Sequence, residues 1–273
     1  MITGRDKELF RKLHEYGMLS TKQVNEMIFK NIAVTTVLRR LRLLEDGHFV
    51  KRILGLESQD VLWVLNEKGA AAIGCEMSKR NWSKNLLEHD FKLLKLRLTM
   101  EASGVARSWK PEHEIRSMIF KENGYRRAAE KLVPDGLMGV EVNGRKESVA
   151  VELELTMKSS ARYDQTFRRY AGKERISAIW YVVPSLGALN HIYRRWKKAK
   201  GLYGLPELQL SLLNEVMTDP LKARLMGDKC FQIERVWTAH TPAQRVSISS
   251  ESEVNKKVET SSQNHTPIEE VCA

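Results

Sequence analysis

Residues 132–158 read LVPDGLMGVEVNGRKESVAVELELTMK, and this stretch decides the fold of the larger part of the chain. Two apolar runs flank the pair Asn143-Gly144, which favours a two-residue β-hairpin because both residues accept positive φ. In the second run, alternation with period 2 places the Val and Leu side chains on one face and Glu152 and Glu154 on the other. The stretch therefore predicts a hairpin whose second strand carries two carboxylates side by side.

Two carboxylates on one strand repel each other and are costly to bury without a partner. Asp135, directly after Pro134, begins the preceding strand, and the hairpin folds it toward Glu152 and Glu154. Three converging carboxylates supply hard oxygen ligands for Mg²⁺ (or Mn²⁺) and leave positions for water and phosphate. We therefore predict these three residues as metal ligands, with Lys158 orienting the attacking water or stabilising the phosphorane. The alternative is a solvent-facing hairpin with ordinary surface acids.

The elements around this hairpin are those of an α/β domain, α+β overall. An apolar spacing of three and four residues predicts a long helix before it, a helix follows Lys158, and a continuous apolar run predicts a buried parallel strand beyond. The predicted segments are a helix at 83–102, strands at 108–115, 132–142 and 147–156, a helix through 162–170, a strand at 177–184, a helix at 189–200 and a strand at 208–213.

The first 77 residues show a different pattern of three helices, a hairpin and a short helix. Ser20 and Gln23 form a capping box that opens the second helix, and Gly17 is a C-cap that ends the first. The third helix spans about 35–45, and two β-rich runs at 49–54 and 61–65 follow it. A helix–turn–helix followed by a two-stranded wing is a winged helix.

A winged helix places its third helix in the major groove of DNA, where Arg reads guanine and the Thr methyl contacts thymine. The basic wing residues suit phosphates. The alternative is a protein-interaction module, because residues 1–77 hold 12 Lys and Arg against 10 Asp and Glu. The predicted DNA-contacting residues of this unit are Thr35, Thr36, Arg39, Arg40, Arg42, Lys51 and Arg52.

The charge of the chain is concentrated in one segment. The chain has a formal net charge of +11. Residues 158–200 alone hold 11 basic residues (Lys and Arg) and two acidic ones (Asp and Glu), which points to an anionic partner. Arg162, Arg168 and Arg169 are the residues that we expect to contact the DNA backbone. Residues 240–273 are polar and aperiodic, which predicts a disordered tail.

Several classes of protein are disfavoured by the composition. No apolar run approaches the ~20 residues needed to cross a bilayer. The first residues, MITGRD, lack the apolar segment of a secretory signal, so we expect a cytoplasmic protein. None of the three cysteines forms a Cys-x-x-Cys pair, which argues against a zinc site.

The order Pro134-Asp135, Glu152, Glu154 and Lys158 with a helix next resembles the PD-(D/E)xK nuclease fold of restriction endonucleases. The resemblance implies a restriction-endonuclease-like domain with a mixed central sheet flanked by helices, at 83–239. In the commonest form of the motif a lysine lies two residues after the second acid. Here Glu154 occupies that position, and Lys158 stands in for the displaced lysine.

Together with the winged helix at 1–77, the helix carrying Glu88, His89 and Asp90 and the helix carrying Tyr163 and Tyr170 make the chain similar to the replication-relaxation family and its MobC-type relaxases. That resemblance implies a metal-dependent relaxase, which nicks supercoiled double-stranded DNA at a plasmid origin of transfer together with an accessory mobilization or coupling protein. Its implied catalytic and supporting residues are Asp135, Glu152, Glu154 and Lys158, then Glu88, His89 and Asp90.

Two points of mechanism and function remain open from the sequence. Tyr163 and Tyr170, seven residues apart on one helical face, are either packing and phosphate-binding residues or candidates for a covalent phosphotyrosine. The alternative functions are a non-catalytic DNA-binding regulator or plasmid replication factor on a nuclease-like scaffold, and a nuclease subunit of a transposition complex.

Overall fold

The computed structural model describes residues 1–54, 61–75, 84–128, 131–173 and 175–238. The chain forms two compact units, Met1–Lys95 and a second that begins at Leu96, so the division falls inside one helix. The turn of the predicted wing, 55–60, and the predicted tail, 240–273, lie outside the described residues.

The first unit has three main helices and a small antiparallel sheet of order β1-β3-β2. This arrangement is a winged helix, as predicted, with β2 and β3 as the wing strands. The elements are α1 (Gly4–Tyr16), β1 (Leu19–Ser20), α2 (Thr21–Ile28), α3 (Val34–Asp46), β2 (Val50–Ile53), β3 (Leu62–Leu65) and α4 (Glu67–Ala71).

The predicted start of α2 is confirmed in detail. The backbone N–H of Gln23 donates to Ser20 Oγ at 3.2 Å, and the N–H of Ser20 donates to Gln23 Oε1 at 2.8 Å. These two bonds satisfy donors that a helix N-terminus otherwise leaves unpaired. Gly17, with φ 78°, ends α1 as predicted. A second capping box, between Thr3 and Asp6, opens α1 and was not predicted.

The second unit is built on a mixed seven-stranded sheet of order β10-β9-β8-β7-β6-β5-β4, in which β6, β7 and β8 run parallel. The predicted α/β fold class, with a mixed central sheet flanked by helices, is confirmed. The helix α5 (Lys84–Ala102) begins in the first unit and ends in the second. The elements that follow it are β4 (Ser108–Pro111), α6 (Glu112–Ala128), β5 (Gly136–Val142), β6 (Arg145–Leu153), α7 (Ser160–Tyr170), β7 (Ala178–Val183), α8 (Leu186–Lys200), β8 (Glu207–Leu212), α9 (Leu213–Thr218), β9 (Arg224–Met226), β10 (Cys230–Gln232) and α10 (Ile233–Trp237).

The β5–β6 hairpin turns at the predicted pair. Asn143 and Gly144 have φ of 50° and 75°, and Val142 pairs with Arg145 across the turn. Positive φ at both central residues is what a two-residue hairpin turn requires. The register that follows pairs Gly136 with Val151 at the far end.

The predicted strand at 108–115 is wrong in its second half. The strand β4 ends at Pro111, and the 17-residue helix α6 begins at Glu112. Acidic residues in its first turn, Glu112 and Glu114, favour a helix N-terminus and were the missed signal. The elements after β8, from α9 to α10, were also not predicted.

No helix in the described parts of the chain is long and apolar enough to span a bilayer.

Candidate active site

The candidate site lies where β5 begins and β6 ends, since the two strands are antiparallel. Gly136 pairs with Val151 in the antiparallel register of β5 and β6. Extending this register by one residue away from the turn places Asp135 opposite Glu152. The Asp135 side chain is fixed by β6 itself: its Oδ2 accepts a hydrogen bond of 2.8 Å from the backbone N–H of Leu153. The hairpin register thus brings together the first two predicted acids.

Glu152 is a buried carboxyl in the interior of the sheet, with 8% of its surface exposed. Its strand lies between β5 and β7, and its register partner on β7 is Tyr181. The hydroxyl of Tyr170 donates a hydrogen bond of 2.5 Å to Glu152 Oε1. Burial and then the neighbouring charge of Asp135 raise the pKa of Glu152 to about 8, against the opposing effect of the hydrogen bond from Tyr170.

Glu154 lies just past the end of β6, where its backbone N–H donates to the carbonyl of Val182 at 3.0 Å. It is 4% exposed, and Lys158 Nζ lies 2.8 Å from its Oε2. Burial alone would lower the pKa of Lys158, but this ion pair and the charges of Glu152 and Asp135 raise it. The predicted lysine therefore does lie among the predicted acids, as an ammonium group held by Glu154.

The assignment of Asp135, Glu152 and Glu154 as metal ligands remains a prediction. Within the described residues, no group of three or more His, Cys, Asp or Glu side chains is placed to hold a metal ion. Glu154 is ion-paired with Lys158.

Asp135 and Glu152 nevertheless fit a divalent cation. Mg²⁺ is commonly held by one or two carboxylates, with waters and substrate phosphate completing its octahedron. Burial and then the charge of Asp135 raise the pKa of Glu152, and a bound cation would relieve the repulsion between the two carboxylates. The donor chemistry of the pair is therefore that of a two-carboxylate magnesium site.

Both predicted tyrosines of α7 point into the protein core. Tyr163 and Tyr170 each have 0% of their surface exposed, and Phe167 lies between them on the same buried face. The hydroxyl of Tyr163 accepts a hydrogen bond of 3.3 Å from the backbone N–H of Lys158. Burial raises the pKa of both phenols, so they remain protonated hydrogen-bonding groups.

The contact between Tyr170 and Glu152 was not predicted, although Tyr170 itself was singled out. The spacing of Tyr163, Phe167 and Tyr170 indicates one buried helical face, but it does not identify the acceptor of a hydroxyl. Tyr181 was missed altogether as a neighbour of the acids, since in an apolar run it is indistinguishable from a packing residue.

The opposite face of α7 is basic. Arg162, Arg168 and Arg169 are all exposed, on the same short helix whose buried face contacts Glu152 and the backbone of Lys158. The three arginines predicted to contact phosphate therefore lie on α7, a helix that also contacts residues of the candidate site.

The residues Glu88, His89 and Asp90 lie on α5 within the first unit. His89 Nδ1 is 3.4 Å from Asp90 Oδ1, and Lys92 Nζ is 2.8 Å from Glu88 Oε1. Their predicted supporting role remains a prediction.

The predicted reading helix, α3, presents part of the predicted set to solvent. Thr35, Thr36, Arg39 and Arg42 are exposed, as are Lys51 and Arg52 on β2. In the wing, Arg52 Nε lies 3.7 Å from Glu45 Oε2.

Arg40 forms an ion pair inside the first unit. Its guanidinium donates to both carboxylate oxygens of Asp6, a residue that is 1% exposed, and to the carbonyl of Met1. Burial would raise the pKa of Asp6, but hydrogen bonds from Arg40 and Thr3 outweigh it and lower the pKa. Arg40 therefore joins α3 to α1, and its contact with DNA bases remains a prediction.

Comparison with known proteins adds little to this picture. No protein-family model matches the chain, and no curated protein matches it. Among solved structures, the chain is similar to the restriction endonuclease FokI with a TM-score of 0.25 and 11% identity, over 78% of this chain and 43% of that chain. The chain thus spans less than half the length of that structure. A score this low establishes no shared fold, so the assignment of the site depends on its own residues.

Proposed function

We propose that this chain is a divalent-metal-dependent DNA endonuclease that nicks a specific site. The observation that carries the proposal is the pair Asp135 and Glu152, which meet where β5 begins and β6 ends in a mixed sheet. Burying a carboxyl whose pKa is raised to about 8 lowers the stability of the folded chain, so folding stability does not explain its presence. Groups with strongly shifted pKa values cluster at functional sites. Lys158 and the basic face of α7 supply the positive charge that a phosphodiester substrate needs.

In this proposal Asp135 and Glu152 hold the cation. When bound there, a divalent ion lowers the pKa of a coordinated water and neutralises charge on the phosphoryl oxygens. Lys158 is the catalytic lysine, and its ammonium stabilises the negative charge that develops on the phosphoryl oxygens. Glu154 orients Lys158 through the 2.8 Å ion pair, which gives the second glutamate of the strand a role other than metal ligation.

The burial of the tyrosines favours hydrolysis over a covalent phosphotyrosine. A nucleophile has to come within about 3–3.5 Å of the phosphorus. Tyr163 and Tyr170 are fully buried, and their hydroxyls are hydrogen-bonded inside the unit. Either tyrosine would have to leave the core to attack the phosphorus, whereas a water molecule activated at Asp135 and Glu152 would not require the core to rearrange.

DNA recognition is divided between the units in this proposal. The exposed residues Thr35, Thr36 and Arg39 of α3 read the major groove, and Lys51 contacts phosphate from the wing. Arg162, Arg168 and Arg169 bind the backbone of the strand to be cut.

More narrowly, we propose a relaxase that nicks supercoiled DNA at the origin of transfer of a plasmid or other mobile element, with an accessory mobilization or coupling protein as partner. The support is the order of the sequence features, a winged helix, the Glu88-His89-Asp90 helix and the carboxylate hairpin. A gene for a coupling ATPase and an origin of transfer beside this gene would support the narrower proposal.

The direct test of nuclease function uses supercoiled plasmid carrying a candidate origin of transfer, incubated with the full chain in Mg²⁺ or in EDTA. We expect nicked circles in Mg²⁺ only, with no protein attached to the DNA end after denaturation. Binding without nicking in either buffer would instead support the non-catalytic DNA-binding regulator, and protein attached to the end would support a tyrosine nucleophile.

A further inference from the structure

We infer that Tyr170 is a positioning residue for Glu152, whose carboxylate it holds in the orientation used for metal binding. The inference rests on the proposed function, because it concerns the same two-carboxylate site. It goes beyond that function because it assigns a role to Tyr170, which acts on the metal ion only through its hydrogen bond to Glu152.

The first support is the contact itself. The Tyr170 hydroxyl lies 2.5 Å from Glu152 Oε1, and both residues are buried, with exposures of 0% and 8%. When Glu152 is ionised, as a metal ligand has to be, a hydrogen bond to its buried carboxylate is stronger than a bond between neutral groups at the surface. One carboxylate oxygen is thereby engaged by the protein, and the other is left as a ligand atom.

The second support is the rigidity of the donor. The ring of Tyr170 belongs to a buried apolar core together with Phe167, Ile179 and Tyr181. Its helix α7 packs against α8, so the ring is held from more than one element. A hydroxyl fixed in this way restricts the side-chain rotamers of Glu152, which the strand backbone alone does not do.

The third support is the location of Tyr170. Its side chain is fully buried, and its hydroxyl donates to Glu152. The group therefore acts as a hydrogen-bond donor inside the protein and does not reach a phosphodiester. Residues of this kind, which hold a metal ligand from behind, typically change metal affinity about 10–100-fold when they are replaced.

The test measures Mn²⁺ binding to the full chain by isothermal titration calorimetry, without DNA. We expect Tyr170→Phe to weaken Mn²⁺ binding about 10–100-fold. Tyr193→Phe is the matched control. Tyr193 lies on α8, and its hydroxyl also donates to a carboxylate, that of Asp228, at 3.1 Å. The control should bind Mn²⁺ as the wild type does.

Two further readouts separate positioning from a general loss of structure. The Mg²⁺ concentration for half-maximal nicking should rise by the same factor in Tyr170→Phe, while the rate at saturating Mg²⁺ stays close to that of the wild type. Replacing Tyr170 by 4-aminophenylalanine, which keeps an N–H donor at the same place, should restore the affinity. If Tyr170→Phe fails to fold, this replacement decides: wild-type affinity supports the inference, and weak binding overturns it.

The inference is overturned if Tyr170→Phe binds Mn²⁺ as tightly as the wild type, or if the wild type binds no Mn²⁺. Failure of the proposed function looks different: the wild type would bind Mn²⁺, with the affinity dependent on Tyr170, and yet produce no nicked DNA.

Discussion

Replacing Glu152 by Gln should change the pH dependence of stability in a way that the structure makes quantitative. The carboxyl is 8% exposed, and burial together with the charge of Asp135 raises its pKa to about 8. Gln removes the titrating proton while keeping an oxygen that can accept the hydroxyl of Tyr170. The substitution therefore isolates the ionisation of Glu152 from the packing around it.

The sign follows from proton binding. Between the ordinary pKa of 4.5 and about 8, the folded chain keeps a proton on Glu152 that the unfolded chain has released. The free energy of unfolding must then fall as pH rises through this window, by about 1.4 kcal/mol for each pH unit. The accumulated destabilisation above pH 8 is on the order of 5 kcal/mol, and it vanishes below pH 4.5.

The assay is urea unfolding in EDTA, followed by tryptophan fluorescence at several pH values from 5 to 9. We expect Glu152→Gln to gain several kcal/mol of stability over the wild type as pH rises across this range. Glu147→Gln, on the same strand but partly exposed at its other end, is the control and should follow the wild type. Parallel curves for Glu152→Gln and the wild type would refute the assignment of a buried, proton-holding carboxyl.

Three other outcomes are expected. Arg40→Ala should lower the free energy of unfolding of the first unit by about 2 kcal/mol in urea titrations, because it leaves the buried Asp6 carboxylate with hydrogen bonds from Thr3 only, whereas Arg39→Ala should not. In DNA-binding titrations at increasing salt, Arg39→Ala and Arg168→Ala should each reduce the slope of log K against log salt by about one, and an unchanged slope would remove that residue from the interface. Mg²⁺ at pH 8 should raise the melting temperature of the wild type but not of Glu152→Gln, and equal shifts in both would place the ion elsewhere.

The fold was largely predictable because its signals are local. The Asn143-Gly144 turn and the Ser20 capping box each depend on neighbours in sequence, and both occur as predicted. The helix α6 was missed because the aromatic and charged residues around Pro111 suit a strand as well as a helix start. Short late elements such as β9 carry too few residues to show a period.

The site was predictable only as far as strand register fixes it. Once the hairpin is known, Asp135 must lie near Glu152, and the sequence was sufficient for that. The sequence did not indicate that Arg40 would pair with Asp6 or Tyr170 with Glu152, because these partners lie 34 and 18 residues apart and meet only through tertiary packing. The pairing of Glu154 with Lys158, four residues away, was also not predicted.

Asp135 and Glu152 are the residues that we propose to hold the metal ion with which the chain cuts DNA. The most direct measurement is nicking of supercoiled plasmid in Mg²⁺ by Asp135→Asn, Glu152→Gln and the control Glu147→Gln, with DNA binding measured in EDTA alongside. We predict that the first two variants bind DNA as the wild type does but produce no nicked circles, while the control nicks normally. Nicking at the wild-type rate by either Asp135→Asn or Glu152→Gln would contradict the account.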